Sequence, residues 1–207
     1  MNPSHLPPPT FADLLRHGEP QGGERYRGSQ DDPLSELGWQ QMNQAVGNFN
    51  GWQVIITSPL IRCSHFAHQL AGRLSLPIVV EPRLREMSFG QWEGHSSQEI
   101  LSYDGDRLRN FWRDPLNNPP PDGEHLEDLA KRVGEGFNTY MERYDGSHML
   151  FVLHGGVIRT ILALTLHLPL QHLSRLLVPY ACLSRIRRDR FGNEEMPRLV
   201  FHGGSLP

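Results

Sequence analysis

Two histidines and two arginines stand where they would be able to hold and attack a phosphate group. Arg16 and His17 follow an apolar pair directly, Arg62 comes shortly after a β-branched run, and His154 follows another apolar run. A guanidinium holds phosphate oxygens in a fork. One imidazole can attack phosphorus, and a second can donate a hydrogen bond to the phosphoryl oxygens. The residues therefore predict phosphate chemistry, provided that the fold brings them together.

Each of these residues also has an ordinary structural interpretation. A single histidine at the end of a strand is more often a hydrogen-bonded structural residue than a catalytic one, and an arginine in the first turn of a helix is usually solvated. Their joint occurrence after three separate strand-like runs is much less expected by chance. That joint occurrence favours the catalytic interpretation.

Strand-like and helix-like segments alternate along most of the chain. Short apolar runs predict strands, at 11–15, 52–57, 77–80, 149–153, 181–186 and 198–201. Amphipathic spacing predicts helices, at 35–48, 59–74, 125–144 and 157–166. Ser35 and Ser58 are expected N-caps, and Pro59 an expected first helical residue. The alternation predicts an α/β three-layer sandwich with a mostly parallel central sheet and helices on both faces.

This fold class would bring the candidate residues to one place. In an open α/β sheet the ligand crevice lies beyond the carboxyl ends of the strands. His17, Arg62 and His154 would then converge there. Gly155, at the start of the next predicted helix, would leave a backbone N–H free to bind an anion.

Residues 90–123 interrupt the alternation with an irregular segment. We interpret this segment as a small helical cap insertion with one or two short helices, within a single domain of residues 1–207. Its aromatic side chains have two interpretations. Trp92, Phe111 and Trp112 either line a pocket for an aromatic base or pack the cap onto the sheet.

Composition argues against several function classes. The formal net charge of -3 argues against a nucleic-acid partner. Lys131 is the only lysine, and arginine-based charge suits phosphate chemistry, although codon usage explains it equally well. Cys63 and Cys182 form no metal-ligand spacing, and two distant thiols suit a reducing compartment. The opening residues lack a secretory apolar run, and no apolar stretch spans a membrane. We therefore expect a cytoplasmic protein with no membrane partner.

Five sequence blocks resemble those of the histidine phosphatase (phosphoglycerate mutase-like) superfamily. They occur in the family's order, as RHGE at 16–19, GSQDDPLS at 28–35, SPLIRC at 58–63, LREMSFGQWEG at 84–94 and HGGVIR at 154–159. An RHG triplet alone is a weak signal. Because all five blocks occur in order, the chain is identified as a member.

The resemblance implies a reaction that needs no metal and no cofactor. His17 would attack the substrate phosphorus and become phosphohistidine. Glu86 would protonate the leaving oxygen and then activate water. Arg16, Arg62 and His154 would surround the phosphoryl group and stabilise its charge. From the residues alone, Glu86 is equally well a surface carboxylate beside two arginines.

The first loop departs from the family pattern. Many relatives carry an asparagine a few residues after RHGE that helps to hold phosphate, whereas residues 20–28 are shorter and lack it. Arg27 lies where many relatives have a glutamine near the phosphate. Our hypothesis is that Arg27 supplies the missing contact. The alternative is a solvated loop arginine.

The short first loop and residues 84–94 and 178–184 are similar to one group of bacterial α-ribazole-5′-phosphate phosphatases, which act in cobalamin synthesis. The resemblance thus implies a phosphomonoesterase acting on a small-molecule phosphate ester, with α-ribazole 5′-phosphate as the leading substrate. Alternatives are a broad-specificity phosphatase of sugar or carboxylic acid phosphates, a phosphoglycerate mutase-type phosphotransferase, and a catalytically silent binding protein. The oligomeric state, a homodimer included, is left open.

Overall fold

The computed structural model describes residues 7–192 and 194–206. Six strands form one sheet within these residues: β1 (Thr10–Arg16), β2 (Val54–Thr57), β3 (Ile78–Val80), β4 (His148–Leu153), β5 (Leu183–Phe191) and β6 (Glu194–His202). The strand order is β3-β2-β4-β1-β5-β6. The opening residues considered for a secretory signal lie largely outside the described part, as does the predicted turn residue Asn193.

The sheet is mixed. Strands β3, β2, β4 and β1 are parallel neighbours, whereas β5 is antiparallel to β1 and to β6. The prediction of a mostly parallel sheet is confirmed. The last two strands are longer than the predicted 181–186 and 198–201, because hairpin pairing extends regular backbone through the charged residues at the hairpin end.

Helices cover both faces of the sheet, as predicted. They are α1 (Glu36–Val46), α2 (Ile61–Leu74), α3 (Ser97–Arg113), α4 (Leu126–Arg143) and α5 (Gly155–Leu166). Successive strand residues point to opposite faces, so alternate side chains enter different cores. Leu14 and Phe151 pack with α4 and α5, whereas Leu15 and Val152 pack with α1 and α2. No helix in residues 7–192 and 194–206 is long and apolar enough to cross a membrane.

The two predicted N-caps had different outcomes. Ser35 caps α1 as expected, since its side chain accepts a hydrogen bond from the Gly38 N–H. The cap predicted at Ser58, with Pro59 as the first helical residue, was wrong: Leu60 is the N-cap and α2 begins at Ile61. The Ser58 hydroxyl lies instead within 2.6 Å of a His154 ring nitrogen, a tertiary partner that no local pattern predicts.

The irregular segment contains one 17-residue helix, α3, with non-helical backbone at Asp104 that divides it into two short parts. A capping box of Ser96 and Glu99 starts this helix. Trp92 is completely buried in the core, and its indole N–H donates to Asp104 at 3.0 Å. For Trp92 the packing interpretation is therefore the one observed. That residues 90–123 are an inserted cap of a single domain stays a prediction.

Candidate active site

The carboxyl ends of three neighbouring strands bring the candidate residues together. The order β2-β4-β1 places the ends of these strands side by side, and the β1–β4 register pairs Arg16 with Leu153. The next residues on the two strands are His17 and His154, whose rings contact edge to face with centroids 5.2 Å apart. Arg62 comes from the first turn of α2, after β2, and its Nε lies 3.3 Å from His154 Nδ1.

His17 has the geometry and charge state of a nucleophile. Its Nδ1 lies 2.7 Å from the Gly18 carbonyl oxygen. Because a carbonyl only accepts, Nδ1 carries the hydrogen, and Nε2 therefore has a free lone pair. Burial, with the Arg16 and Arg62 charges, holds the pKa of His17 well below its ordinary value. The imidazole is therefore neutral at neutral pH.

A close backbone contact fixes the loop that carries His17. A Cβ atom on Gly18 would lie 2.1 Å from the Gly38 carbonyl oxygen, and one on Gly38 would lie 2.1 Å from the Glu19 carbonyl oxygen. Only glycine fits at these two positions without moving backbone. The nucleophile loop is thus seated directly on the first turns of α1.

Arg62 is held on three sides within the protein. Its Nη1 donates to the Gln30 carbonyl at 2.5 Å, its Nη2 donates to the Gly28 carbonyl at 2.9 Å, and its Nε donates to His154 Nδ1. The residue is only 1% exposed but lines the cavity beside His17. A guanidinium has five N–H donors, so two remain for an anion.

Arg16 has a buried donor without a partner in the protein. Its Nη1 donates to the Val178 carbonyl at 2.6 Å, and its guanidinium carbon lies 4.3 Å from the Tyr180 ring centroid. The buried Nε makes no hydrogen bond within the described residues. An unpaired buried donor is costly. A bound anion in the adjoining cavity would relieve that cost, so the arginine suits an oxyanion site.

His154 lies next to the candidate site but does not line the cavity. It is fully buried and is not among the cavity-lining residues of the described chain. Because Arg62 Nε donates to its Nδ1, the other nitrogen Nε2 carries the hydrogen and donates to Ser58 Oγ. The Cys63 sulfur lies 3.6 Å from the same Nε2. The predicted contact of His154 with phosphoryl oxygens stays a prediction.

The carboxylate of Glu86 reaches the start of α5 from the loop that follows residue 84, and Glu86 lines the cavity. Its Oε2 accepts from the Gly156 N–H at 3.2 Å and its Oε1 from the Met87 N–H at 3.0 Å. Gly155, the first residue of α5, also lines the cavity, as predicted for an anion-binding N–H. A Cβ on Gly156 would lie 2.6 Å from Glu86 Oε1, so the glycine permits the carboxylate to approach the helix.

Arg27 lines the same cavity and is 5% exposed, so the alternative of a solvated loop arginine was wrong. Its Nε donates to Asp32 Oδ2 at 3.0 Å and its Nη2 to the Gln21 carbonyl at 2.5 Å. These bonds fold the loop back over the arginine, which explains the burial. The hypothesis that Arg27 contacts phosphate stays a prediction.

The cavity has a volume of about 320 Å³ and walls of two kinds. One wall carries the charged groups described above. The other is aromatic and includes Phe111 and Trp112 of α3, together with Tyr26 and Phe89. The Trp112 indole N–H donates to the Tyr26 hydroxyl at 2.8 Å, which ties α3 to the first loop. Two of the three predicted cap aromatics therefore reach the cavity.

Arg159 and Tyr180 are among the cavity residues that the sequence did not single out. Arg159 donates from Nε to the Leu176 carbonyl at 2.7 Å and presents its guanidinium to the cavity. Tyr180 lines the cavity next to His17, with ring centroids 5.8 Å apart. Both lie in blocks that resembled the family, at 154–159 and 178–184, and that membership was the available signal. Within residues 7–192 and 194–206 no cluster of three or more His, Cys, Asp or Glu side chains is arranged to hold a metal ion.

Most of the chain is similar to one known protein family. The model of a family described as the histidine phosphatase superfamily (branch 1) matches residues 13–196. A curated relative, the bifunctional protein Rv2228c of Mycobacterium tuberculosis, is 35% identical over 181 residues, which cover 85% of this chain and 50% of the relative. The chain thus spans about half the length of the first curated relatives that it matches.

Solved structures with the same fold include several phosphatases. Bacillus stearothermophilus YhfR is 30% identical with a TM-score of 0.82, covering 94% of this chain and 96% of that one. The mycobacterial glucosyl-3-phosphoglycerate phosphatase Rv2419c, solved with VO3, is 29% identical with a TM-score of 0.78, covering 92% and 97%. The α-ribazole phosphatase from Shigella flexneri is 25% identical with a TM-score of 0.74, covering 91% and 95%.

Proposed function

The chain belongs to the histidine phosphatase superfamily, and from that membership and the geometry of its cavity we propose that it is a phosphomonoesterase working through a phosphohistidine intermediate on His17. The observation that carries this proposal is the buried, neutral imidazole whose Nδ1 is tied to Gly18 and whose Nε2 is left free. A lone pair so oriented, beside the Arg16 and Arg62 guanidinium groups, is suited to attack on phosphorus.

In the first step, Nε2 of His17 attacks phosphorus and the bond from phosphorus to the leaving oxygen breaks. Glu86 donates a proton to that oxygen, so the alcohol leaves neutral. Arg16 and Arg62 stabilise the charge on the three phosphoryl oxygens in the transition state. We propose that the Gly155 N–H adds a hydrogen bond from the start of α5.

In the second step, water attacks the phosphorus of phosphohistidine. Glu86, now a carboxylate, accepts a proton from that water, the P–N bond breaks, and inorganic phosphate leaves. His17 returns to its neutral form with the hydrogen still on Nδ1. His154 supports both steps as a neutral imidazole whose Nδ1 accepts a hydrogen bond from Arg62 Nε, which holds the guanidinium in place.

Phosphate release from p-nitrophenyl phosphate tests this proposal. Wild-type protein is expected to turn over without added metal and to form an acid-labile phosphoryl adduct that His17→Asn does not form. Absence of phosphate release and of the adduct would favour a silent binding protein. Phosphoryl transfer between positions of 3-phosphoglycerate, with little free phosphate, would favour a mutase.

We propose α-ribazole 5′-phosphate as the leading substrate, within cobalamin synthesis. Support comes from the aromatic side chains of Tyr26, Phe111 and Trp112 along one wall, which suit a flat aromatic base. The Shigella flexneri α-ribazole phosphatase gives further support as a structural neighbour. The cavity volume of about 320 Å³ lies at the lower end of the range for small-molecule sites. The base and ribose of such a ligand would therefore fill most of the cavity and be largely buried in it.

A second candidate substrate class is supported by Arg159. Its Nε is bonded to the Leu176 carbonyl, and the rest of its guanidinium faces the cavity, where it would suit the carboxylate of a carboxylic acid phosphate. The glucosyl-3-phosphoglycerate phosphatase neighbour is in keeping with this class. A panel of α-ribazole 5′-phosphate, sugar phosphates and 3-phosphoglycerate, ranked by kcat/KM, would separate the two. Arg159→Gln should lower kcat/KM only for substrates with the carboxylate.

A further inference from the structure

A guanidinium on α4 grips the loop that carries Glu86. We propose that Arg132 is a positioning residue for Glu86: it holds the backbone of that loop so that the carboxylate meets the leaving oxygen. This inference rests on the proposed function, because it assigns Arg132 a role only in the proton transfers of Glu86.

The contacts of Arg132 use all five of its N–H donors. Nη1 donates to the carbonyls of Arg83 and Arg85, each at 2.7 Å, and Nη2 donates to the carbonyl of Glu86 itself at 3.1 Å. Nε and Nη2 donate to the two carboxylate oxygens of Glu124, at 2.6 and 2.7 Å. A guanidinium has no more donors to give, so its orientation is completely specified.

Glu124 holds the far end of the same loop. Its backbone N–H donates to the Ser88 carbonyl at 2.9 Å, and its Oε2 accepts from the Ser88 N–H at 3.4 Å. The side chains of Arg132 and Glu124 are only 13% and 12% exposed, so water competes little for these bonds. Residues 83–88 are therefore fixed on both sides of Glu86.

These contacts fix the backbone on both sides of Glu86 and so determine where its carboxylate lies. Its carboxylate is directed by two backbone N–H groups, those of Met87 and Gly156. The first belongs to the held loop, so a shift of the loop moves the carboxylate and one of its partners together, away from α5. Arg132 is not among the cavity-lining residues of the described chain. The structure therefore does not favour a direct contact between Arg132 and substrate.

The test uses leaving groups of different basicity. p-Nitrophenolate leaves readily without a proton, whereas an alkoxide needs the general acid. Arg132→Gln is expected to lower kcat/KM about 10- to 100-fold for an alkyl phosphate that the wild type cleaves. This is less than the full contribution of about 10²- to 10⁴-fold that a general acid makes, because the variant displaces the Glu86 carboxylate and does not remove it. For p-nitrophenyl phosphate the same variant should change kcat/KM less than about threefold.

The pattern should match that of Glu86→Gln, and the double variant Glu86→Gln/Arg132→Gln should lose no more than Glu86→Gln alone, because two residues acting through one group are not additive. Arg143→Gln is the matched control on the same helix, since this exposed arginine lies over the Tyr144 ring, away from the loop. The control should behave as wild type with both substrates.

Arg132→Lys and Glu124→Gln extend the test if Arg132→Gln does not fold. A lysine has three donors and no planar fork, so Arg132→Lys should show the same selective loss in smaller measure. Equal losses for both substrates, or none, in folded variants of an active enzyme would overturn the role of Arg132 alone. A wild type that releases no phosphate from any ester would overturn the proposed function as well.

Discussion

Two buried polar clusters of opposite character lie four residues apart, one around Asp13 on β1 and one around His17, the residue that follows this strand. At Asp13 every partner is present: Trp52 and His148 contact Oδ2 at 2.8 Å, and Arg185 donates to both carboxylate oxygens. Around His17 the balance is different, since the buried Nε of Arg16 has no partner among the described residues and the imidazole lies beside the charges of Arg16 and Arg62.

The difference shows how one strand serves stability and chemistry at once. Burial acts to raise the pKa of Asp13, but the hydrogen bonds from His148 and Arg185 outweigh it and hold the pKa below its usual value. At His17 burial and the neighbouring arginines act together to lower the pKa. The first cluster is complete without a ligand. The second is electrostatically incomplete until an anion arrives, which is common at functional sites.

The largest effect is expected from a substitution that removes the proposed nucleophile, His17. His17→Asn should lower phosphatase kcat on the order of 10³-fold or more, since a covalent nucleophile cannot be replaced by its neighbours. Its free energy of unfolding at pH 7 should be equal to that of the wild type or higher. Steady-state kinetics and chemical denaturation measure the two quantities. A variant that unfolds easily would show that His17 is also structural.

The second prediction concerns the cluster around Asp13, where the carboxylate has all its partners. Asp13→Asn should lower the free energy of unfolding by about 3 kcal/mol, because it leaves the Arg185 charge without its buried partner. The kcat of the folded fraction should stay within about twofold of the wild type, because the substitution weakens the fold and leaves the residues of the candidate site in place. Urea denaturation with parallel assays tests this. A large loss of kcat without loss of stability would erase the contrast between the clusters.

Acid should separate the wild type from His17→Asn. Because the pKa of His17 is lower in the folded than in the unfolded chain, below about pH 6.5 the unfolded chain binds a proton that the folded chain does not. The wild type therefore loses stability as pH falls, and His17→Asn should gain relative to it by up to about 1.4 kcal/mol per pH unit. His65→Asn, at an exposed site, is the control and should run parallel to the wild type. Denaturation at several pH values between about 5.5 and 7.5 measures the divergence.

The smallest expected effect concerns the unpartnered donor. Inorganic phosphate at ten times its dissociation constant should stabilise the wild type by about 1.4 kcal/mol. Arg16→Gln should show less stabilisation at the same phosphate concentration, whereas Arg143→Gln should match the wild type. Thermal denaturation with and without phosphate, at constant ionic strength, compares them. Equal shifts in all three proteins would mean that the anion binds elsewhere.

The ends of the predicted strands indicate where the site lies. His17, Arg62 and His154 follow three strands that are neighbours in the sheet, so a parallel α/β arrangement was enough to bring them together. The N-cap predicted at Ser58, before α2, was wrong for a physical reason. A serine followed by proline satisfies the local cap pattern, but the Ser58 hydroxyl lies 2.6 Å from a ring nitrogen of the buried His154, 96 residues later in the chain.

Residues that act across long sequence separations had no local signal. Arg132 reaches carbonyls 46 to 49 residues earlier in the chain, and nothing in the amphipathic pattern of its helix marks it apart from other polar positions. Arg27 was uncertain because loop burial depends on how the loop folds over it, here through Asp32 and the Gln21 carbonyl. Periodicity indicates which segments are helices and strands, whereas such partners follow only from tertiary packing.

The bond between Trp112 and Tyr26 gives this chain a built-in optical probe. Of its four tryptophans, Trp52 and Trp92 are buried in the cores and Trp39 packs against Phe66, so only Trp112 borders the cavity, with 39% of its surface open to solvent. An occupant that shields the indole or breaks its hydrogen bond should shift the emission of one fluorophore against a constant background. Ligand arrival in the cavity is therefore observable in the unlabelled protein, on the time scale of a stopped-flow mixing experiment.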